Sequence, residues 1–68
     1  MTVTKVIDVI GSSPIGADDA VREALAAATK SIRGISRIDV VSVTCDVEDG
    51  EIVRWNALVK IMFPVEPK

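Results

Sequence analysis

Histidine and tyrosine are absent from this 68-residue chain, and cysteine, tryptophan and phenylalanine each occur once. Each gap removes a class of function. Without histidine no Ser-His or Cys-His catalytic pair can be assembled, and the usual zinc ligand sets are lost with it. A single cysteine, Cys45, closes no intrachain disulfide. Two aromatic residues and a net charge of −2, with acids and bases interspersed, leave neither a stacking platform nor a basic stripe for nucleic acid. No apolar run approaches the ~20 residues that span a bilayer, and Met1–Lys5 runs into a strand pattern with no signal-peptide core. These absences predict a non-enzymatic cytoplasmic protein that binds neither membrane nor nucleic acid.

Apolar residues are plentiful instead: 49% of the chain, with a mean hydropathy of +0.37. Residues 1–68 are enough for a single domain. A core of that size typically supplies only ~3–5 kcal/mol, so small domains add disulfides, a metal or copies of themselves. With no disulfide and no zinc ligand set, self-association is the expected route.

The strongest pattern is in Glu51–Val65. Val53, Trp55, Ala57, Val59, Ile61, Phe63 and Val65 alternate with Ile52, Arg54, Asn56, Leu58, Lys60 and Met62, which puts the two sets on opposite faces of a strand. The all-apolar set, Trp55 included, is expected against a helix. The mixed set is expected to meet another copy and to carry any ligand site; Asn56 there offers both donor and acceptor atoms.

Upstream, Val3–Ile10 reads as a strand stopped by Gly11-Ser12-Ser13-Pro14. A helix over Ala17–Ile32 follows, with Asp18 and Asp19 placed to cap its first turn. Its apolar stripe is Val21, Leu25, Ala28 and Ile32, its alanines permit close packing on a sheet, and Gly34 is its left-handed stop. A second strand spans Ile35–Val47. Val41, Val43, Cys45 and Val47 lie on one face, and Ile38 and Val40 on the other, so a bulge is expected near Val40-Val41. Cys45 is expected to be a small buried hydrophobe. Asp49-Gly50 marks a tight hairpin into the third strand, which Pro64 and Pro67 bring to an end. The fold class is therefore α+β: β-α-β-β, with a three-stranded antiparallel sheet curved around one helix.

Two motifs invite a functional reading. Gly11 and Gly16 have the spacing of a phosphate-binding loop, but Ala17-Asp18 replaces the required Lys-Ser/Thr, and a structural turn is expected. Asp8, Asp39, Asp46, Glu48, Asp49 and Glu51 supply carboxylates suited to Ca²⁺ or Mg²⁺ at the hairpin tip, although an acidic turn is ordinarily just solvated.

Taken in order, four segments resemble the dodecins, a family of small flavin-binding proteins. They are Lys5-Val6-Ile7-Asp8-Val9-Ile10-Gly11-Ser12-Ser13-Pro14, the Ala-rich helix ending Lys30-Ser31-Ile32-Arg33, Val47-Glu48-Asp49-Gly50-Glu51-Ile52, and Leu58-Val59-Lys60-Ile61-Met62-Phe63. The resemblance implies a homododecamer, a hollow shell that stores or shields a flavin, FMN or riboflavin, at interfaces between copies. It also implies a stacking tryptophan on the second strand and a hydrogen-bonding glutamine on the third. Arg37 stands at the first position and Asn56 at the second. Arginine stacks through its planar guanidinium and attracts a phosphate, whereas asparagine reaches one methylene less far. Arg37 and Asn56 are thus the expected flavin-binding residues. The alternative is a structural shell without flavin that holds a divalent cation on the hairpin carboxylates, or a small anion near Arg37 and Arg54.

Overall fold

The longest strand, the one with the strict two-residue alternation, occupies the centre of the sheet. The computed structural model describes residues 2–65. Its elements are β1 (Val3–Ser13), α1 (Ala17–Thr29), β2 (Arg37–Glu48) and β3 (Glu51–Val65). The sheet order is β1-β3-β2, antiparallel throughout. β1 pairs with β3 without interruption, from Val3 opposite Val65 to Ser13 opposite Trp55.

β2 pairs with two register shifts, one between Val40 and Ser42 and one between Asp46 and Val47. The first is the expected bulge, with a consequence the sequence reading had reversed. The extra residue advances β2 by one relative to β3. Val40 lies opposite Val59, and past the bulge Val43 lies opposite Ala57 and Cys45 opposite Trp55. All these partners belong to the helix-side set, so the bulge at Val41 brings Val43 and Cys45 onto the same face as Ile38 and Val40.

That face meets α1 through small residues. Ala20, Ala24 and Ala28 of the helix are buried, as are Ala57, Val59 and Ile61 of β3. Val21 and Ile32 are only partly buried around this core. The helix is therefore turned from the expected stripe, with its alanine line against the sheet and its larger side chains to either side. Burying Val59 and Ile61 fully contributes ~1.5–3 kcal/mol each.

Gly11 makes this close approach possible. It does not end the first strand, as its place before Ser-Ser-Pro suggested, but lies inside β1 opposite Ala57. A Cβ there would overlap the Ala20 carbonyl oxygen and come within 2.7 Å of the Ala24 nitrogen and 2.8 Å of its Cβ. The Gly11–Gly16 spacing reflects packing and a turn.

The β1–α1 turn is held by Ser13, which is 1% exposed. Its hydroxyl donates to Asp19 Oδ2 at 2.7 Å and accepts from the Ile15 N–H at 2.9 Å. Asp19 thus serves this turn, and the Gly16 N-cap has no side-chain cap. Ser13→Ala leaves that N–H and carboxylate without their shared partner and is expected to cost about 1–2 kcal/mol. Thermal melts at matched protein concentration measure this; an unchanged melting temperature would contradict it.

The helix ends at Thr29 rather than Ile32, although Ile32 N–H still bonds to the Ala28 carbonyl at 2.9 Å. Gly34 has the expected positive φ of 76°, but in the connecting loop rather than at the cap. β2 starts at Arg37, two residues later than expected, after Ser36 N–H bonds to the Met62 carbonyl at 2.9 Å. Asp49 and Gly50 form the hairpin turn with φ of 51° and 78°, the double positive φ of a type I′ turn. Pro64 lies inside β3, opposite Thr4, one residue from its end; Pro67 is outside the described residues.

One helix cannot shelter this sheet. Thirteen residues of helix reach ~20 Å, whereas fifteen of strand reach ~50 Å. The helix covers β1 and the C-terminal half of β3, and the hairpin projects beyond it. From Asp39 to Glu48 every residue of β2 is exposed. Cys45 is accordingly exposed and not buried as expected, because its strand face extends past the helix.

Candidate functional site

The face of the sheet away from α1 carries the candidate site. Strand pairing arranges its side chains in rows across β1, β3 and β2. Asp8, Lys60 and Asp39 form one row, Ile10, Leu58 and Ser42 the next, and Ser12, Asn56 and Thr44 the third. Beyond it, Arg54 lies opposite Asp46 in the strand register. Strand alternation, with the bulge at Val41 resetting the phase of β2, sends all of these to the same side.

An open groove of about 450 Å³ runs along the middle rows, lined by Ile10, Ser42, Thr44, Asp46, Asn56 and Leu58. Ile10 and Leu58 give it an apolar floor; Ile10 is 65% exposed, unusual for so large an aliphatic group. The two hydroxyls, the amide and the carboxylate form a polar end. This chemistry suits a flat ring that is apolar on its face and polar along one edge.

Asn56 ties the three strands together. Its Oδ1 accepts from the Ser12 hydroxyl at 2.7 Å, and its Nδ2 donates to Asp46 Oδ1 at 3.0 Å. One row away, Lys60 Nζ pairs with Asp8 Oδ1 at 3.2 Å. That pair is well exposed and adds little to stability.

Arg37 is on the same face, opposite Met62, but six β3 positions from Asn56. At ~3.4 Å per residue the two positions are roughly 20 Å apart. Arg37 instead lines a second depression of about 290 Å³, with Leu25, Ile35, Ser36 and Ile38. One protomer therefore does not bring the two expected flavin residues together. Trp55 is on the helix side, half-buried against the core.

Sequence reasoning picked out Asn56 but missed its neighbours Ser12, Ser42, Thr44 and Ile10, and assigned Asp46 only to the hairpin carboxylates. The signal was available: Ser42, Thr44 and Asp46 alternate with Val43 and Cys45, a polar row at strand spacing. Among the described residues no three Cys, Asp or Glu side chains come together as a metal site. No helix among them is long and apolar enough to cross a membrane.

The dodecin family model matches residues 3–66. The chain belongs to the dodecin family. Dodecin from Streptomyces coelicolor is 33% identical, with 98% of this chain and 96% of that one covered and a TM-score of 0.92. Dodecin from Streptomyces davaonensis is 29% identical over 97% of both chains, with a TM-score of 0.90. A Thermus thermophilus protein at 22% identity superposes over the full length of both chains with a TM-score of 0.94, which shows the shared fold. A search of curated proteins gives no match.

Proposed function

We propose that this protein is a non-enzymatic flavin store. Copies assemble into a homododecameric shell in the cytoplasm, and FMN or riboflavin is sequestered where copies meet. The observation that carries this reading is the groove, with an apolar floor of Ile10 and Leu58 and a polar end of Ser42, Thr44, Asp46 and Asn56. An isoalloxazine ring has matching chemistry: broad apolar faces and an edge of carbonyl and N–H groups. The groove covers one face of such a ring, and a second copy is needed to cover the other.

The roughly 20 Å between Arg37 and Asn56 within a protomer fits the same picture. The pocket takes Asn56 from one copy and Arg37 from another, the guanidinium lying over the ring or meeting the FMN phosphate. An enzymatic role has little support in the residue set: the chain contains no histidine, and neither the Ser42 nor the Thr44 hydroxyl of the groove is hydrogen-bonded to the Asp46 carboxylate that could activate it.

Titration of the purified assembly with riboflavin and with FMN tests the reading directly. Flavin fluorescence is expected to be quenched at micromolar protein. A complete shell by light scattering that leaves the fluorescence unchanged would reject flavin storage and leave a structural shell. Arg37→Trp is expected to tighten riboflavin binding by about 2- to 12-fold, the equivalent of one aromatic stacking pair. Unchanged affinity in that variant would place Arg37 outside the pocket.

A further inference from the structure

We infer that Asp46 selects the ligand of the groove by accepting a hydrogen bond from a ring N–H, so that the site prefers a planar ring with an imide edge, C(=O)–NH–C(=O). The inference rests on the flavin reading above and names the atom of this chain that reads the ring edge. It begins with Asn56, the residue of the groove best suited to pair with such an edge. That amide is already engaged: its oxygen takes the Ser12 proton at 2.7 Å, and its nitrogen gives a proton to Asp46 Oδ1 at 3.0 Å. One N–H and one lone pair are left to it.

The second of these bonds fixes the neighbouring carboxylate. Asp46 lines the groove, and its Oδ2 has no hydrogen-bond or ion-pair partner among the described residues. An ionised carboxylate only accepts. A ring edge entering the groove therefore meets a charged acceptor held in place from behind, beside the Ser42 and Thr44 hydroxyls, which rotate to donate or accept. The complementary edge has an N–H facing the carboxylate and carbonyl oxygens facing the hydroxyls. An isoalloxazine ring has this edge at N3–H, between the C2 and C4 carbonyls. Asp46 is exposed in the protomer, so a ring that presents only acceptors there both covers the carboxylate and places a lone pair against it, and is rejected, because a charged acceptor taken from water without a donor is penalised more than a neutral one.

The test compares riboflavin with 3-methylriboflavin, in which the donor is replaced by a methyl group. Binding to the wild-type assembly and to Asp46→Asn is followed by fluorescence quenching, with light scattering to confirm the assembly. Wild type is expected to prefer riboflavin by about ten-fold or more. In Asp46→Asn the amide presents an N–H to the ring, and the preference is expected to fall to within about two-fold. The N3 proton of ¹⁵N-labelled riboflavin on wild type gives a second reading that does not depend on the variant folding. It is expected to move downfield on binding, as a proton shared with a carboxylate does. Equal binding of the two flavins to wild type, a preference unchanged in Asp46→Asn, or an unshifted N3 proton would each overturn the role of Asp46 while leaving flavin storage intact. Failure of both flavins to bind would remove flavin storage, and this inference with it.

Discussion

Gly11→Ala is expected to abolish the native assembly. A single methyl group at this position has nowhere to go. Its carbon would overlap the Ala20 carbonyl oxygen and lie 2.7 Å from the Ala24 nitrogen and 2.8 Å from the Ala24 Cβ. Two of those atoms are helix backbone and the third is fixed to it, so no rotamer change relieves the contact. The helix must lift from the sheet, which separates Ala20 and Ala24 from Ala57 and opens the centre of the core. Overpacking typically costs ~1–3 kcal/mol and more where the backbone must move, against the ~3–5 kcal/mol that so small a core supplies. Circular dichroism and the near-ultraviolet signal of Trp55 should show loss of the native packing, and scattering the loss of the assembly. Gly16→Ala is the control: a Cβ there meets nothing within 4 Å, and the backbone is extended at a φ of 173°. A Gly11→Ala protein that melts within a few degrees of wild type would show that the helix sits farther from the sheet than described.

The same residue shows what could be read from the chain and what could not. The number, type and order of the elements were legible, because Glu51–Val65 alternates strictly and Asp49-Gly50 has the positive φ that a two-residue hairpin requires. The bulge near Val40-Val41 was legible from a change of phase in one strand. Which face that phase change led to was not, because the answer depends on what β3 places opposite. Gly11 looked like punctuation because Ser-Ser-Pro follows it; only the approach of the helix reveals a glycine chosen for its missing side chain. The helix stripe was misplaced for a related reason. Hydrophobicity favours Val21 and Leu25, but the distance of closest approach favours Ala20, Ala24 and Ala28.

The candidate site was half legible. Asn56 and its face followed from alternation alone. Its links to Ser12 and Asp46 join residues 44 and 10 positions away, and no local pattern encodes such distances. Cys45 was misjudged because its apolar strand neighbours suggested a core, while the helix that would complete that core is too short to reach it.

That shortfall leads to the second large effect. Replacing both Val43 and Val47 with Asp is expected to disperse the assembly. These side chains are 43% and 59% exposed in the protomer, on a hairpin where Val53 and Ile52 are also exposed. The radius of gyration is 14.1 Å, whereas a compact chain of this length has one of ~11 Å. The accessible surface is 5045 Å², against roughly 4,200 Å² expected for this mass. The excess is close to the ~800 Å² that one partner commonly buries in a stable interface. The hairpin thus carries about one interface's worth of surface that its own helix leaves uncovered, and its apolar side chains gain ~1.5–3 kcal/mol each when another copy covers them. Two carboxylates per copy turn that gain into a desolvation cost repeated at every contact. Sedimentation of Val43→Asp/Val47→Asp should show small or unfolded species in place of the assembly. An assembly of unchanged mass would mean that copies meet elsewhere.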